Sequence, residues 1–289
     1  MTTYHTAQLT NGFNVFYQEA GSRSSNPTLL LLHGFPSSSN QFRQLIPLLA
    51  DKYHIIAPDL PAFGLTTVPD NFVASFAQIA NVILELLDHL KIESVITYTF
   101  DYGAPTAYRL ALLRPRLVKG LIAQNGNAYE EGLASWWDPV KVYWKTEKGS
   151  DEWKQSRKIL TGALSLDSVK GQYLDGLSED LASKVDAYAY TLDYISNLTG
   201  EQKIERQLDL FYDYQKNVEL YPQFQQFFRN SQIPALVVWG GRDEIFPTPG
   251  ALAYKKDLPN AKVKIIEDGT HFLLETHVKQ VAKEIREFF

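Results

Sequence analysis

The chain has 289 residues, of which 45% are hydrophobic and 13% aromatic, and it contains no cysteine. This length allows one large domain or two small ones, and a chain of this size buries enough surface to fold without disulfides. The absence of cysteine excludes disulfides, Cys-ligated zinc and thiolate catalysis. The net charge of -5 argues against a basic nucleic-acid-binding face and gives no reason to expect attraction to a membrane surface.

The N-terminal segment gives the first expectation about location. Residues 1–20 lack a basic stretch followed by an apolar core, so we expect no signal peptide. No apolar run approaches the roughly 20 residues that a membrane helix needs. We interpret the glycosylation sequon Asn197-Leu198-Thr199 as a chance match, and we expect a cytoplasmic protein.

Short apolar runs alternate with helical patterns over much of the chain. Continuous apolar runs of this kind are typical of strands in a sheet that is covered on both faces. Apolar residues spaced by three and four positions over residues 76–90 predict a helix. The alternation predicts a mostly parallel α/β sheet. The predicted strands are residues 29–32, 55–57, 95–100, 120–123, 235–239 and 263–266.

The segment 129–232 interrupts this alternation. It has no clear buried strand, and four of the five tryptophans fall between Trp136 and Trp153. We predict a helical cap here, inserted into an α/β core that consists of residues 1–128 and 233–289. The aromatic side chains of the cap either form only its own core or also line a substrate pocket.

Three chemically competent side chains follow predicted strands. Asp101 lies between strand 95–100 and a helix predicted over residues 106–113, among small residues that permit a tight turn. This is the geometry of the G-x-S-x-G nucleophile elbow with Asp in place of Ser, although Asp101 could also simply cap the helix. Asp243 and His271 follow the last two strands, where parallel sheets assemble their sites, in the order nucleophile, acid, histidine.

Five motifs together resemble a known enzyme superfamily. The sequence is similar to α/β-hydrolases of the epoxide hydrolase and haloalkane dehalogenase type, and most of all to epoxide-hydrolase-like members. The resemblance implies an α/β-hydrolase fold with a mostly parallel central sheet, flanking helices and an inserted helical cap. The motifs are His33-Gly34-Phe35-Pro36, residues 57–64 (APDLPAFG), residues 100–104 (FDYGA), Gly240-Gly241-Arg242-Asp243 and Gly269-Thr270-His271-Phe272.

The resemblance also implies a mechanism. Asp101 would attack a strained or activated C–O or C–halogen bond and form an alkyl ester. His271, oriented by Asp243, would then deprotonate the water that hydrolyses this ester. The backbone N–H groups of Phe35 and Tyr102 would hold the oxyanion. We expect no cofactor, and we expect no metal because the closest histidine pair, His271 and His277, lacks zinc-motif spacing.

Epoxide opening needs a proton donor, which family members supply from cap tyrosines. By resemblance, Tyr214 matches the distal tyrosine and Tyr143 lies near the proximal one. A chance match is the alternative for Tyr143, because the chain has 16 tyrosines. The expected partners are water and a small, largely apolar organic substrate, whose pocket we assign to Phe35, Trp144 and Phe272; the sequence makes no prediction of oligomeric state.

Two alternatives to epoxide hydration stay open. One is dehalogenation of haloalkanes or haloacids by the same Asp-ester mechanism, and the other is a catalytically silent ligand binder of the same fold. Haloalkane dehalogenases have Trp after the nucleophile and Asn or Trp beside the first oxyanion residue, whereas this chain has Tyr102 and Phe35-Pro36 there. This difference favours epoxides. Ala62 stands where relatives commonly have Gly, at a cost of about 1 kcal/mol if the position needs a positive φ.

Overall fold

The structure, a computed structural model, describes residues 1–24 and 26–289. In this part of the chain, eight strands form one sheet in the order β1-β2-β4-β3-β5-β6-β7-β8. β1 and β4 each pair antiparallel with β2, and all other pairs are parallel. The predicted mostly parallel architecture is confirmed. The strands are β1 Thr3–Gln8, β2 Asn14–Ala20, β3 Thr28–Leu32, β4 His54–Pro58, β5 Val95–Phe100, β6 Val118–Gln124, β7 Ala235–Gly240 and β8 Lys262–Ile266.

Helices cover the sheet because each has one apolar stripe to bury. In the helix predicted over residues 76–90, the Ser75 side chain caps the N-terminus. Its apolar stripe is buried at Phe76, Ile79, Val82, Ile83, Leu86 and Leu87. β4 and β7 are buried at every position, which explains their continuous apolar sequences. The helices outside the predicted cap are α1 Ile46–Leu49, α2 Phe76–His89, α3 Gly103–Leu113, α11 Thr248–Ala253 and α12 Leu273–Phe288.

The chain between β6 and β7 folds differently from the rest. All of residues 125–234 are described, and they form helices and no strand. The predicted cap, residues 129–232, lies within this helical segment. Its α-helices are α4 Asp138–Trp144, α5 Asp151–Leu160, α6 Leu166–Leu174, α7 Glu179–Ala182, α8 Ala187–Asn197, α9 Glu201–Asp213 and α10 Gln215–Ser231.

Polar contacts join these helices to the sheet domain near the carboxyl ends of the strands. The Asn197 side-chain amide donates to the Pro36 carbonyl at 2.6 Å. The Asp213 carboxylate accepts from the Phe76 N–H at 2.9 Å and so satisfies a free donor at the start of α2. The sequon residue Asn197 is therefore buried in a structural contact. Within the described ranges, no helix combines the length and apolar character needed to cross a bilayer.

Candidate active site

Asp101 lies in the sharp turn between β5 and α3. Its φ of 47° is in the left-handed region, which costs a non-glycine residue about 1–2 kcal/mol. Two glycines allow the turn to approach the end of β3. A Cβ on Gly103 would lie 2.1 Å from the Leu32 carbonyl oxygen, and a Cβ on Gly34 would lie 2.2 Å from Asp101 Oδ1. The turn therefore presents the carboxylate at the carboxyl edge of the sheet.

Backbone donors hold one oxygen of this carboxylate. The Phe35 N–H donates to Asp101 Oδ1 at 2.6 Å. Burial raises the pKa of Asp101 to about 6, although the His271 charge and the N–H groups of Phe35 and Tyr102 act in the opposite direction. The group is thus mostly ionised at pH 7. Because Oδ1 accepts from the Phe35 N–H, Oδ2 is the oxygen left for the predicted role of nucleophile.

His33 fixes the turn that carries the Phe35 donor. Its Nε2 accepts from the Leu60 N–H at 2.9 Å, so this nitrogen carries no proton. Its Nδ1–H donates to the Gly34 carbonyl at 3.1 Å. Burial lowers the pKa of His33, which is consistent with a neutral ring. His33 is therefore a positioning residue for the turn that carries the predicted oxyanion donor Phe35.

His271 and Asp243 form a buried dyad beyond the ends of β8 and β7. His271 Nδ1 donates to Asp243 Oδ2 at 2.8 Å. Asp243 Oδ1 accepts from the N–H groups of Ile245 at 2.8 Å and Phe246 at 3.1 Å. These bonds fix the carboxylate, and the carboxylate in turn fixes the plane and tautomer of the imidazole.

The other imidazole nitrogen is free for chemistry. His271 Nε2 is buried and has no hydrogen-bond partner among the described residues. Burial lowers the pKa of His271, but the carboxylates of Asp243 and Asp101 outweigh it and the net shift is upward. The ring is thus held at Nδ1 by the Asp243 carboxylate, whereas Nε2 is left without a hydrogen bond within the described residues. This arrangement suits a general base for water.

Asn125, which the sequence reasoning missed, connects the nucleophile turn to the dyad. Its side chain donates to Asp243 Oδ2 at 2.7 Å and accepts from the Gly240 N–H at 3.2 Å. Its carbonyl accepts from the Asp101 N–H at 3.2 Å. Asn125 also has a left-handed φ of 47°, which Asn tolerates better than most residues. An Asn-Gly pair directly after β6 was the available signal.

The two predicted proton donors lie in different surroundings. Tyr214 is fully buried between α9 and α10, with its ring centroid 5.9 Å from that of Tyr102. Its hydroxyl is 3.4 Å from the Tyr221 hydroxyl. Burial raises the pKa of Tyr214, and Asp101 is among the charges that add to this effect. Tyr214 is therefore close to the predicted nucleophile.

The described contacts of Tyr143 do not bring it to the triad. Its hydroxyl accepts from Arg157 Nη1 at 2.9 Å, and Arg157 also pairs with Asp209 at 2.8 Å. Its ring contacts Trp153 and Tyr212 rather than Tyr214. Successive residues on a helix point about 100° apart. Within α4, the next residue therefore faces Tyr214 while Tyr143 faces α5.

The three predicted pocket residues lie in an aromatic layer between sheet and cap. The Phe35 ring is 5.1 Å from that of Phe211. Trp144 lies parallel to Tyr214 with centroids 6.2 Å apart, and its indole N–H donates to the Phe211 carbonyl at 2.7 Å. Phe272 stacks on Tyr173 at 3.7 Å. These side chains surround the site with apolar surface.

A polar cleft of about 170 Å³ reaches the dyad from outside this layer. It is lined by residues of α6 on one side and by residues 242–245 and 270–271 on the other. It offers water a route to His271. Among the described residues, no group of three or more His, Asp or Glu side chains is arranged to hold a metal ion.

Comparisons with known proteins show which enzymes the chain is similar to. The hydrolase YNR064C of Saccharomyces cerevisiae, described as uncharacterized, is 49% identical over 288 residues, which cover 99% of this chain and 97% of the yeast protein. Epoxide hydrolase 2 of Siraitia grosvenorii is 39% identical over 120 residues, covering 41% of this chain and 37% of that protein. The crystal structure of haloalkane dehalogenase DbeA from Bradyrhizobium elkani USDA94 has a TM-score of 0.77 at 22% identity, covering 99% and 97% of the two chains.

The family assignment follows from a match along most of the chain. Residues 27–278 match the family described as alpha/beta hydrolase fold. This range includes the turn at Phe35, the elbow at Asp101 and the dyad of Asp243 and His271. The predicted resemblance is confirmed at this level. The chain belongs to the α/β-hydrolase fold family and is a hydrolase.

Proposed function

We propose that this hydrolase hydrates an epoxide to a vicinal diol through a covalent ester on Asp101. One observation carries the proposal: a carboxylate occupies the elbow with Oδ1 on the Phe35 N–H at 2.6 Å, in electrostatic reach of the Asp243-paired imidazole. A serine hydrolase activates its nucleophile with the histidine. An ionised carboxylate needs no such activation, so His271 is left to act on water.

In the first step, Asp101 Oδ2 attacks an epoxide carbon as the C–O bond breaks. The departing oxygen develops the charge of an alkoxide and needs a proton. Tyr214 is the predicted donor that lies near Asp101. We assign this role to Tyr214 and not to Tyr143, because the Tyr214 ring lies beside Tyr102 whereas the Tyr143 ring packs against Trp153 and Tyr212.

In the second step, His271 Nε2 takes a proton from water, whose oxygen attacks the ester carbon. The charge that forms on Oδ1 is held by the Phe35 and Tyr102 N–H groups. The protonated His271 then gives its proton to the departing diol oxygen. Esterification also removes the negative charge of Asp101, one of the charges that raise the pKa of His271. Loss of this charge lowers the pKa of His271, so a larger fraction of the imidazole is neutral in the step where it acts as a base.

The surroundings favour an epoxide over a halide. The indole N–H of Trp137 donates to the Ile245 carbonyl at 2.9 Å, and that of Trp144 is bonded to Phe211. Neither group is free to bind a halide ion. The residue after the nucleophile is Tyr102, whose phenol suits an alkoxide oxygen.

A single-turnover experiment in H₂¹⁸O tests the covalent step. With enzyme in excess over an aromatic epoxide such as styrene oxide, the diol should carry no ¹⁸O, because its new oxygen comes from Asp101. Mass spectrometry of the peptide that contains Asp101 should show the label instead. Label in the diol and none in the peptide would mean direct attack by water and would overturn the proposal.

A trapping experiment tests the substrate class. His271→Gln should accumulate an adduct of the epoxide mass on Asp101, whereas Asp101→Asn, the matched control, should show none. Both variants are first checked for native far-UV circular dichroism. Adducts from haloalkanes alone would identify a dehalogenase. If the wild-type protein neither turns over nor is modified by any compound of either class, the proposed reaction is wrong and a ligand-binding role is favoured.

A further inference from the structure

The hydroxyl of Tyr102 is a buried polar group without a structural use. The side chain is 1% exposed, and its hydroxyl oxygen has no hydrogen-bond partner among the described residues. Buried hydroxyls nearly always find a partner, because an unpaired one is destabilising. Phenylalanine would fill the same space without this penalty. The unpaired group therefore calls for an explanation other than packing.

Its surroundings are aromatic and adjoin the nucleophile. The ring centroid of Tyr102 lies 4.8 Å from that of Phe76, 5.9 Å from that of Phe35 and 5.9 Å from that of Tyr214. Burial and then the Asp101 charge raise the pKa of Tyr102, so the two groups are in electrostatic reach. The phenol is therefore neutral, in electrostatic reach of the carboxylate and packed against aromatic rings, and its hydroxyl makes no hydrogen bond within the described residues.

We propose that the Tyr102 hydroxyl is a catalytic hydrogen-bond donor to the epoxide oxygen, acting beside Tyr214. This role rests on the proposed function. It supplies the second donor that the sequence reasoning assigned to Tyr143, which the structure pairs with Arg157. A donor that is unpaired in the free enzyme does not have to break a protein contact before it binds substrate, which is the preorganisation that electrostatic catalysis needs.

The proton balance closes within the reaction. As the bond between Asp101 Oδ2 and carbon forms and the C–O bond breaks, one phenol transfers its proton to the alkoxide and becomes a phenolate, while the other donates a hydrogen bond. Water then hydrolyses the ester, and the Asp101 carboxylic acid so formed loses its proton. That proton restores the phenol, so the net reaction is epoxide plus water to diol.

A pair of Tyr→Phe variants separates catalysis from packing. Tyr53 is the matched control, because its side chain is fully buried and its hydroxyl is also unpaired among the described residues. It lies just before β4, and its N–H donates to the Leu49 carbonyl at 3.0 Å. Both Tyr102→Phe and Tyr53→Phe should keep or raise the melting temperature, since each removes an unpaired buried hydroxyl.

The rates of the two chemical steps give the decisive readout. Rapid-quench single-turnover measurements should show ester formation slowed at least tenfold in Tyr102→Phe, with ester hydrolysis within twofold of wild type. Tyr53→Phe should leave both steps unchanged. Ester formation at the wild-type rate in Tyr102→Phe would overturn this inference while leaving the proposed function intact. Absence of any ester in wild type and His271→Gln would instead reject the proposed function.

Discussion

Two residues near the site show left-handed backbone conformations with different consequences. Asp101 has a φ of 47° and Ala62 a φ of 79°. At Asp101 the strained turn places the carboxylate against the Phe35 N–H, so the strain is tied to the presentation of the proposed nucleophile. Ala62 brings no functional group to the turn; its described hydrogen bond is through its carbonyl, to Gln207 at 3.4 Å. We therefore expect that a substitution which relieves the backbone strain at Ala62 leaves the catalytic activity unchanged.

Ala62→Gly should therefore stabilise the protein. Glycine relieves a left-handed strain of about 1–2 kcal/mol but gains entropy in the unfolded chain, so we expect a net increase of about 0.5–1 kcal/mol in the free energy of unfolding. Urea titration followed by circular dichroism measures it. Ala50→Gly is the control: Ala50 has a φ of -67°, and the same substitution there should destabilise by a similar amount. Destabilisation by both substitutions would contradict the assigned strain.

At the scale of single residues, the sequence predicts where the site residues lie in the fold better than it predicts their hydrogen-bond partners. Asp101, Asp243 and His271 each follow an apolar strand, and parallel strands bring such ends to one edge. The sequence also indicates that Ala62 is strained if its position needs a positive φ, and Ala62 has a φ of 79°. The Asn-Gly pair after β6 signals the turn at Asn125, but the hydrogen bond from Asn125 to Asp243 could not be predicted, because it joins residues 118 positions apart across the sheet edge.

At the scale of elements, the face that a cap helix presents decides what its tyrosines do. In α4, Trp144 lies over Tyr214, while Tyr143 lies against Arg157 and α5. Tyr214 stands where α9 ends and α10 begins. A change of one position in a helix rotates the side chain by about 100°, so a sequence match of uncertain register cannot distinguish these two faces.

Tyr214→Phe and Tyr143→Phe should consequently have opposite profiles. Tyr214→Phe should lower epoxide turnover at least tenfold, because it removes a proton donor near Asp101. Tyr143→Phe should leave kcat within twofold and lower the free energy of unfolding by about 1 kcal/mol, since Arg157 loses one hydrogen bond. Steady-state kinetics and urea unfolding of both variants check this. A tenfold loss of kcat in Tyr143→Phe with normal stability would return Tyr143 to the mechanism.

Element prediction succeeded for the strands that carry an apolar run and failed for the antiparallel pair β1 and β2 at one side of the sheet. The predicted strands fall within β3 to β8, and the helix predicted over residues 106–113 begins earlier, at Gly103. The pair of β1 and β2 was not predicted. Five of the six β1 residues are exposed, so this strand lacks the apolar run that marks the others. β1 pairs with β2 through backbone hydrogen bonds, which do not depend on side-chain type and so cannot be predicted from an apolar pattern.

At the scale of the whole molecule, a buried acid lies where the helical segment between β6 and β7, the predicted cap, contacts the residues around the sheet. Asp193 of α8 accepts a 2.5 Å hydrogen bond from the Tyr173 hydroxyl. Burial raises its pKa to about 8, with the Glu275 charge adding to the effect and Tyr173, Ser37 and Arg43 acting against it. Ser37, Arg43 and Glu275 belong to the sheet domain. The junction is thus built around a carboxylic acid that stays protonated near neutral pH.

This acid should make stability rise as the pH falls from 8 to 6.5. The folded protein keeps the Asp193 proton up to about pH 8, whereas the unfolded chain loses it near the ordinary pKa of 3.8, so folding takes up a proton in this window. The raised pKa of His271 acts in the same direction. The lowered pKa of His33 opposes it only when the pH falls through about 6.5.

We expect the free energy of unfolding to rise by roughly 1–2 kcal/mol between pH 8.0 and 6.5, measured by urea unfolding at pH 8.0, 7.2 and 6.5. Asp193→Asn should flatten most of this dependence, and Asp180→Asn, an exposed control in α7, should preserve it. An unchanged slope in Asp193→Asn would show that the junction does not hold the proton.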